Sequence, residues 1–162
     1  MASTRLVLWR AYDPDVPHAR TPGFHPLSGE GASFASGRWH TKRPGRRIVY
    51  ASEHSALAYL ELLARAGEAI QRVAFVQFEV YDPVVLRPPD DVLESVHEIA
   101  VTRRFGDDWY DHHPAPVLEI PSVILPLGMN YAIRVGERGA RLKELAREII
   151  RIDDRLRARL IG

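Results

Sequence analysis

Apolar residues fall in short runs separated by polar stretches rich in Pro and Gly. Residues 5–12, dense in Leu, Val and aromatic side chains, predict a first strand. Residues 13–37 have no comparable run and read as a long irregular segment, a length that compact domains keep for functional loops. Residues 48–51 predict a short strand. Ser52 then suits a helix N-cap and Glu53 the first turn. Ala56, Leu57, Leu60, Leu63 and Ala64 follow at helical spacing to about Ala66, with Gly67 as the stop. Residues 72–80 alternate, placing Ala74, Val76, Phe78 and Val80 on one strand face, and residues 84–86 resume after Pro83. Residues 90–102 are polar, with room for a short helix. Residues 117–125 are apolar but broken at Pro121, giving two short strands or one bulged edge, and 131–135 predict another strand. Residues 141–148 predict a helix with Leu142, Leu145 and Ala146 inward, and 149–152 a last strand. Strands outnumber helices without alternating regularly with them. The class is therefore α+β: a single compact domain with a central mixed or antiparallel sheet and flanking helices.

A length of 162 residues suits one domain with a real core. The net charge of +1 argues against a general nucleic-acid binder, which needs a basic excess to release phosphate counterions. Arg38, Lys42, Arg43, Arg46 and Arg47 still form a local cluster able to meet anions. With no cysteine, disulfides, thiolate zinc sites and a cysteine nucleophile are excluded. Residues 1–10 lack a signal-peptide run and no segment approaches membrane-spanning length, so a cytoplasmic protein without membrane contact is the expectation.

Glu61 is the sharpest chemical feature. It lies on the flank of the apolar stripe, where a carboxylate is partly desolvated unless a cation meets it. Two readings are open: a functional carboxylate, or a surface pair with Arg65 one turn on. Arg10 ends the first strand, and Arg38 follows the Gly-rich stretch from Gly29 to Gly37. Each could fork onto phosphate or rest in solvent. Tyr50 could meet a ribose or a ring, or belong to the core. Ser122 could hold a polar ligand group or cap a turn. The seven histidines show no zinc spacing, so no metal is expected. Arginines for a pyrophosphate, an aromatic and a carboxylate, without a nucleophile triad, suit cleavage of an N-glycosidic bond in a nucleotide. Its transition state resembles an oxocarbenium ion that a nearby carboxylate stabilises.

The order of short motifs resembles the RES family. They are Trp9-Arg10-Ala11-Tyr12, Gly37-Arg38-Trp39-His40, Ile48-Val49-Tyr50-Ala51-Ser52 and Ser55-Ala56-Leu57-Ala58-Tyr59-Leu60-Glu61. Phe105-Gly106-Asp107-Asp108-Trp109, Pro121-Ser122-Val123, Asn130-Tyr131 and Asp153-Asp154-Arg155-Leu156 follow, so the likeness spans nearly the whole chain. The resemblance implies a fold similar to that of ADP-ribosyltransferase toxins. It also implies a toxin that degrades NAD by hydrolysis or phosphorolysis, with NAD as substrate, inorganic phosphate as a co-substrate and no resident cofactor. Arg10, Tyr12, Arg38, Tyr50, Ser122 and Asn130 would hold NAD, with Glu61, Arg10 and Tyr50 at the chemistry. The implied partner is an Xre-like helix-turn-helix antitoxin that blocks the pocket. A protein ADP-ribosyltransferase and a non-catalytic nucleotide-binding module are the alternatives; a bare binder has no need of the carboxylate. The chain departs from the family pattern at His40, where Asn is common, and over Arg134 to Arg138, where Asn-Pro and His-Pro are common.

Overall fold

The computed structural model describes residues 5–66 and 70–155. The helix stop expected at Gly67 and the Leu156 end of the last motif lie outside the described residues. Among those described, seven strands form one sheet in the order β4-β5-β6-β2-β1-β3-β7. They are β1 (Leu6–Tyr12), β2 (Ile48–Ser52), β3 (Arg72–Tyr81), β4 (Val85–Leu86), β5 (Val117–Pro121), β6 (Met129–Arg134) and β7 (Arg141–Arg151). All neighbours are antiparallel except β4 and β5. The helices are α1 (Gly31–Phe34), α2 (Ser55–Ala66), α3 (Asp90–Glu94) and α4 (Ile99–His112). The domain is α+β with a mixed sheet, as the pattern of short apolar runs implied.

The sheet's alternation divides the core. Leu8, Val49, Val76, Phe78, Val80, Tyr131 and Ile133 form one buried cluster. The expected β3 face of Ala74, Val76, Phe78 and Val80 is fully buried. On the other side, Trp9, Ala11, Val73 and Phe75 pack with Ala58 and Leu62 of α2. Farther along, Ile48, Leu118, Ile120 and Ala132 pack with Trp39 and Trp109. Apolar burial at roughly 25 cal/mol per Å² drives both associations. On this face a cleft opens between α2 and the segment carrying Trp39.

Three expectations are corrected. Residues 141–148 are not a helix but part of β7, paired with β3 from Tyr81↔Arg141 to Arg72↔Arg151. The segment is rich in helix formers, but β3's edge offers ten ladder positions and tertiary pairing overrides weak intrinsic propensity. Ser52 does not cap α2. It belongs to β2, its Oγ donates to Asn130 Oδ1 at 2.6 Å, and the helix starts at Ser55. The buried stripe of α2 is Leu57, Ala58 and Leu62, with Ala56, Leu60 and Ala64 exposed.

The polar segment after Asp90 holds more helix than expected. α4 runs fourteen residues and buries Thr102, Gly106 and Trp109. Gly106 is required: a Cβ there would lie 1.9 Å from the Trp39 carbonyl oxygen. The long segment 13–37 is irregular apart from the 3₁₀ turn Pro17–Arg20 and the single turn α1.

Candidate functional site

The cleft lies between α2, the ends of β1, β2, β5 and β6, and the Gly37–Trp39 segment. It offers about 830 Å³ of atom-free space counted to its open mouth. Arg10, Arg38, Tyr50, Glu61 and Asn130 all line it.

Glu61 reaches the cleft because α2's buried stripe is rotated from the expected one. With Leu57, Ala58 and Leu62 inward, position 61 lies within that face. Its Oε1 accepts two hydrogen bonds, from Ser122 Oγ at 2.7 Å and Asn130 Nδ2 at 2.5 Å. Asn130 is itself oriented by Ser52 Oγ. Oε2 has no hydrogen bond from a described residue, which makes it the oxygen available to a ligand. The pair with Arg65 is not formed.

Ser122 is 2% exposed and sits behind the carboxylate. Its Oγ donates to Glu61 and accepts from the amides of Ile124 (3.2 Å) and Leu125 (3.0 Å). It ties Glu61 to the β5–β6 turn. Ser122→Ala leaves two amides and a carboxylate short of partners, so it should lower unfolding free energy by about 1–3 kcal/mol in urea denaturation.

Arg10 bridges β1 and β2: its Nη1 donates to the Tyr50 carbonyl at 3.1 Å, while Nε is buried without a partner. Burial, and next the nearby Arg65 charge, pull its pKa down to about 10, so it stays cationic at neutral pH. Arg38 Nη1 donates to the Val96 carbonyl at 3.0 Å. Arg65, the surface partner in the alternative reading of Glu61, also lines the cleft. Among the described residues no acid forms an ion pair with any of these three arginines. Three arginines without ion-pair partners among the described residues, around a single carboxylate already held by Ser122 and Asn130, suit an anionic ligand. Three other arginines of the basic cluster are neutralised locally: Arg43 by Asp111, Arg46 by Asp107 and Asp111, Arg47 by Glu30.

Tyr50 lines the cleft, and its Oη lies 2.7 Å from His40 Nδ1. Burial raises the Tyr50 pKa, so the phenol is neutral. Tyr12 is not brought into the cleft; it packs on the Leu8 cluster, 5.4 Å from the Phe24 ring. Among the described residues no group of His, Asp or Glu is arranged to hold a metal ion.

Sequence reasoning missed Ser52 and Arg65 as site residues. Arg65 shares the helix face of Leu57 and Glu61 at four-residue steps, a signal hidden by centring the stripe on Leu60. It also left His40 without a role. Its side chain is buried, which lowers its pKa, with Arg46 and Arg103 adding to the effect and the Ala35 carbonyl and Asp107 opposing it. Unfolded His40 takes its proton near the ordinary value of about 6.5, the folded one only at lower pH. Its neutral burial therefore favours the fold above that value and is lost as pH falls below it. The urea midpoint should drop between pH 7.5 and 5.5, and drop less in His40→Asn.

The sequence model of the RES domain matches residues 7–154. The chain belongs to the RES domain family. Within it, the chain is 34% identical over 134 residues to the "Prs ADP-ribosylating toxin" of Sphingobium sp., covering 71% of this chain and 76% of that one. It is 30% identical over 109 residues to a "Toxin Res" of Photorhabdus laumondii, covering 64% and 69%. It is 28% identical over 161 residues to a "Toxin Res" of Pseudomonas putida, covering 93% and 99%. The fold matches a chain of the M. tuberculosis MbcT–MbcA toxin–antitoxin complex with a TM-score of 0.67 at 16% identity, over 98% of this chain and 90% of that one.

Several RES motifs acquire physical roles here. Gly106 admits the Trp39 backbone, Asp107 accepts from the Thr41 amide at 2.8 Å and from Arg46, and Trp109 Nε1 donates to the Ala115 carbonyl at 2.9 Å. In the divergent stretch, buried Arg134 donates to the carbonyls of Tyr110 and His113 and so closes the C-terminal end of α4.

Proposed function

We propose that this RES domain is the toxin of a toxin–antitoxin pair and cleaves the nicotinamide–ribose bond of NAD, with water or inorganic phosphate as acceptor. The observation that carries the reading is Glu61, fixed through one oxygen by Ser122 and Asn130 on the wall of a cleft lined by three arginines without acid partners. The arginines suit a pyrophosphate. As the glycosidic bond breaks, its electron pair leaves with nicotinamide and positive charge moves to the ribose ring. A preorganised carboxylate stabilises that distribution. Water or phosphate then bonds to the ribose carbon and releases its proton to solvent.

The "Prs ADP-ribosylating toxin" relative favours a second reading, in which a protein side chain is the acceptor. Both readings break the same bond. Product analysis separates them: ADP-ribose from NAD in plain buffer, or its 1″-phosphate when phosphate is added, supports the first. Nicotinamide release that requires an added protein supports the second.

The partner expected is an Xre-like helix-turn-helix antitoxin that closes the cleft, and the site of action is the cytoplasm. Expression without that partner should deplete cellular NAD and arrest growth. Normal growth with soluble protein present would contradict the toxin reading.

A further inference from the structure

His40 is 3% exposed and both ring nitrogens are engaged. Nε2 lies 2.9 Å from the Ala35 carbonyl oxygen, and Nδ1 lies 2.7 Å from Tyr50 Oη. A carbonyl only accepts, so Nε2 carries the proton. In a neutral ring Nδ1 is then bare, and the Tyr50 hydroxyl must donate to it. The single Tyr50 proton is thereby directed into the protein, while Tyr50 itself lines the cleft.

The seat of this pair is built around Gly37. Its amide donates to the His40 carbonyl at 3.0 Å, and Arg103 Nε donates to the Gly37 carbonyl at 2.7 Å. A Cβ at Gly37 would stand 2.8 Å from His40 Nδ1 and 3.1 Å from Tyr50 Oη. Only glycine leaves room for the two rings to meet. A tyrosine with a free hydroxyl rotor accepts or donates as the ligand requires; one committed in this way cannot.

We infer that His40 is a positioning residue that fixes Tyr50 as a hydrogen-bond acceptor toward the cleft, so that the site selects a ligand group bearing an N–H or O–H and rejects one offering only lone pairs. The orientation of the hydroxyl stands on its own geometry; the ligand's identity rests on the NAD reading. On NAD the groups that can donate include the carboxamide and the ribose hydroxyls. Groups that offer only lone pairs include a carboxylate in place of the amide and fluorine in place of a ribose hydroxyl. Facing lone pairs are left unpaired, and sites built on hydrogen bonding discriminate strongly on that basis.

Two measurements test this. Nitrogen-15 NMR of histidine-labelled wild-type protein at pH 7.5 should show His40 neutral, with its proton on Nε2. A proton on Nδ1 overturns the inference without reference to NAD. The second measurement compares kcat/KM for NAD with inhibition constants of nicotinic acid adenine dinucleotide and of NAD analogues fluorinated on the nicotinamide ribose. His40→Leu frees the hydroxyl to turn, so one of these analogues should gain roughly three- to tenfold relative to NAD. That discrimination should be absent in Tyr50→Phe. A misfolded variant cannot gain affinity. Unchanged ratios in folded His40→Leu overturn the selection. Failure of wild-type protein to bind NAD overturns the NAD reading instead, and the NMR result then decides the His40 assignment alone.

Discussion

Glu61→Gln should turn over NAD roughly 10²–10³ times more slowly than the wild-type protein, with NAD affinity changed far less. The glutamine keeps the shape of the side chain, and its amide oxygen can still accept from Ser122 Oγ and Asn130 Nδ2. What it removes is the negative charge. In the ground state that charge faces a nicotinamide that is already cationic; in the transition state it faces the ribose ring. The difference between those states is what a fixed carboxylate contributes, so the loss falls on kcat. Were Glu61 a surface partner of Arg65, its replacement would leave turnover intact and alter stability by at most a few tenths of a kcal/mol. Steady-state kinetics, with circular dichroism to confirm folding, separates these outcomes by orders of magnitude.

Arg10→Met should weaken NAD binding by about 1.5–3 kcal/mol, the range for a lost charge-assisted contact. The unfolding free energy of the ligand-free protein should change by no more than about 1 kcal/mol. The contrast follows from the geometry. Among the described residues Arg10 has one hydrogen-bond partner, the Tyr50 carbonyl, and a buried Nε with none. Its charge is uncompensated until an anion arrives, so a methionine of similar length costs the empty fold little. A purely structural arginine would show the reverse pattern: a large loss of stability and unchanged binding in calorimetric titration.

The fold was legible wherever burial enforces a period. β1, β2, β3, β5 and β6 carry apolar residues at strand spacing, and the structure places each of them in the sheet. β7 was misread because its Leu, Glu, Lys, Ala and Arg favour a helix, and its strand state depends on the edge of β3, which local sequence does not announce. α4 was mostly missed for a related reason. Its fully buried residues are Thr102, Gly106 and Trp109, with Phe105 and Tyr110 packed partly buried beside them, so two of the three innermost positions carry no large apolar side chain; Gly106 faces in because Trp39 leaves no space for more.

At the cleft, Glu61, Arg10, Arg38 and Tyr50 could be singled out because each sits at an element end or flank where its chemistry is anomalous. Ser122 stood open between a polar ligand contact and a turn cap, and Asn130 came from the family likeness. Their convergence on a single oxygen of Glu61 is a property of three elements meeting, α2, β6 and the end of β5, which no local pattern encodes. Tyr12 shares a motif with Arg10, yet the sheet's geometry keeps it among core residues. His40 looked like a departure from the family pattern; in the structure it orients the hydroxyl of a cleft residue.

The most direct measurement of the central claim is proton NMR of purified wild-type protein mixed with NAD alone, alongside Glu61→Gln under the same conditions. Free nicotinamide should appear with NAD loss in the wild-type sample, and roughly 10²–10³ times more slowly in the variant. Equal rates in the two samples, or NAD left intact by folded wild-type protein in the presence and absence of phosphate, would contradict the assignment of this cleft to nicotinamide–ribose cleavage.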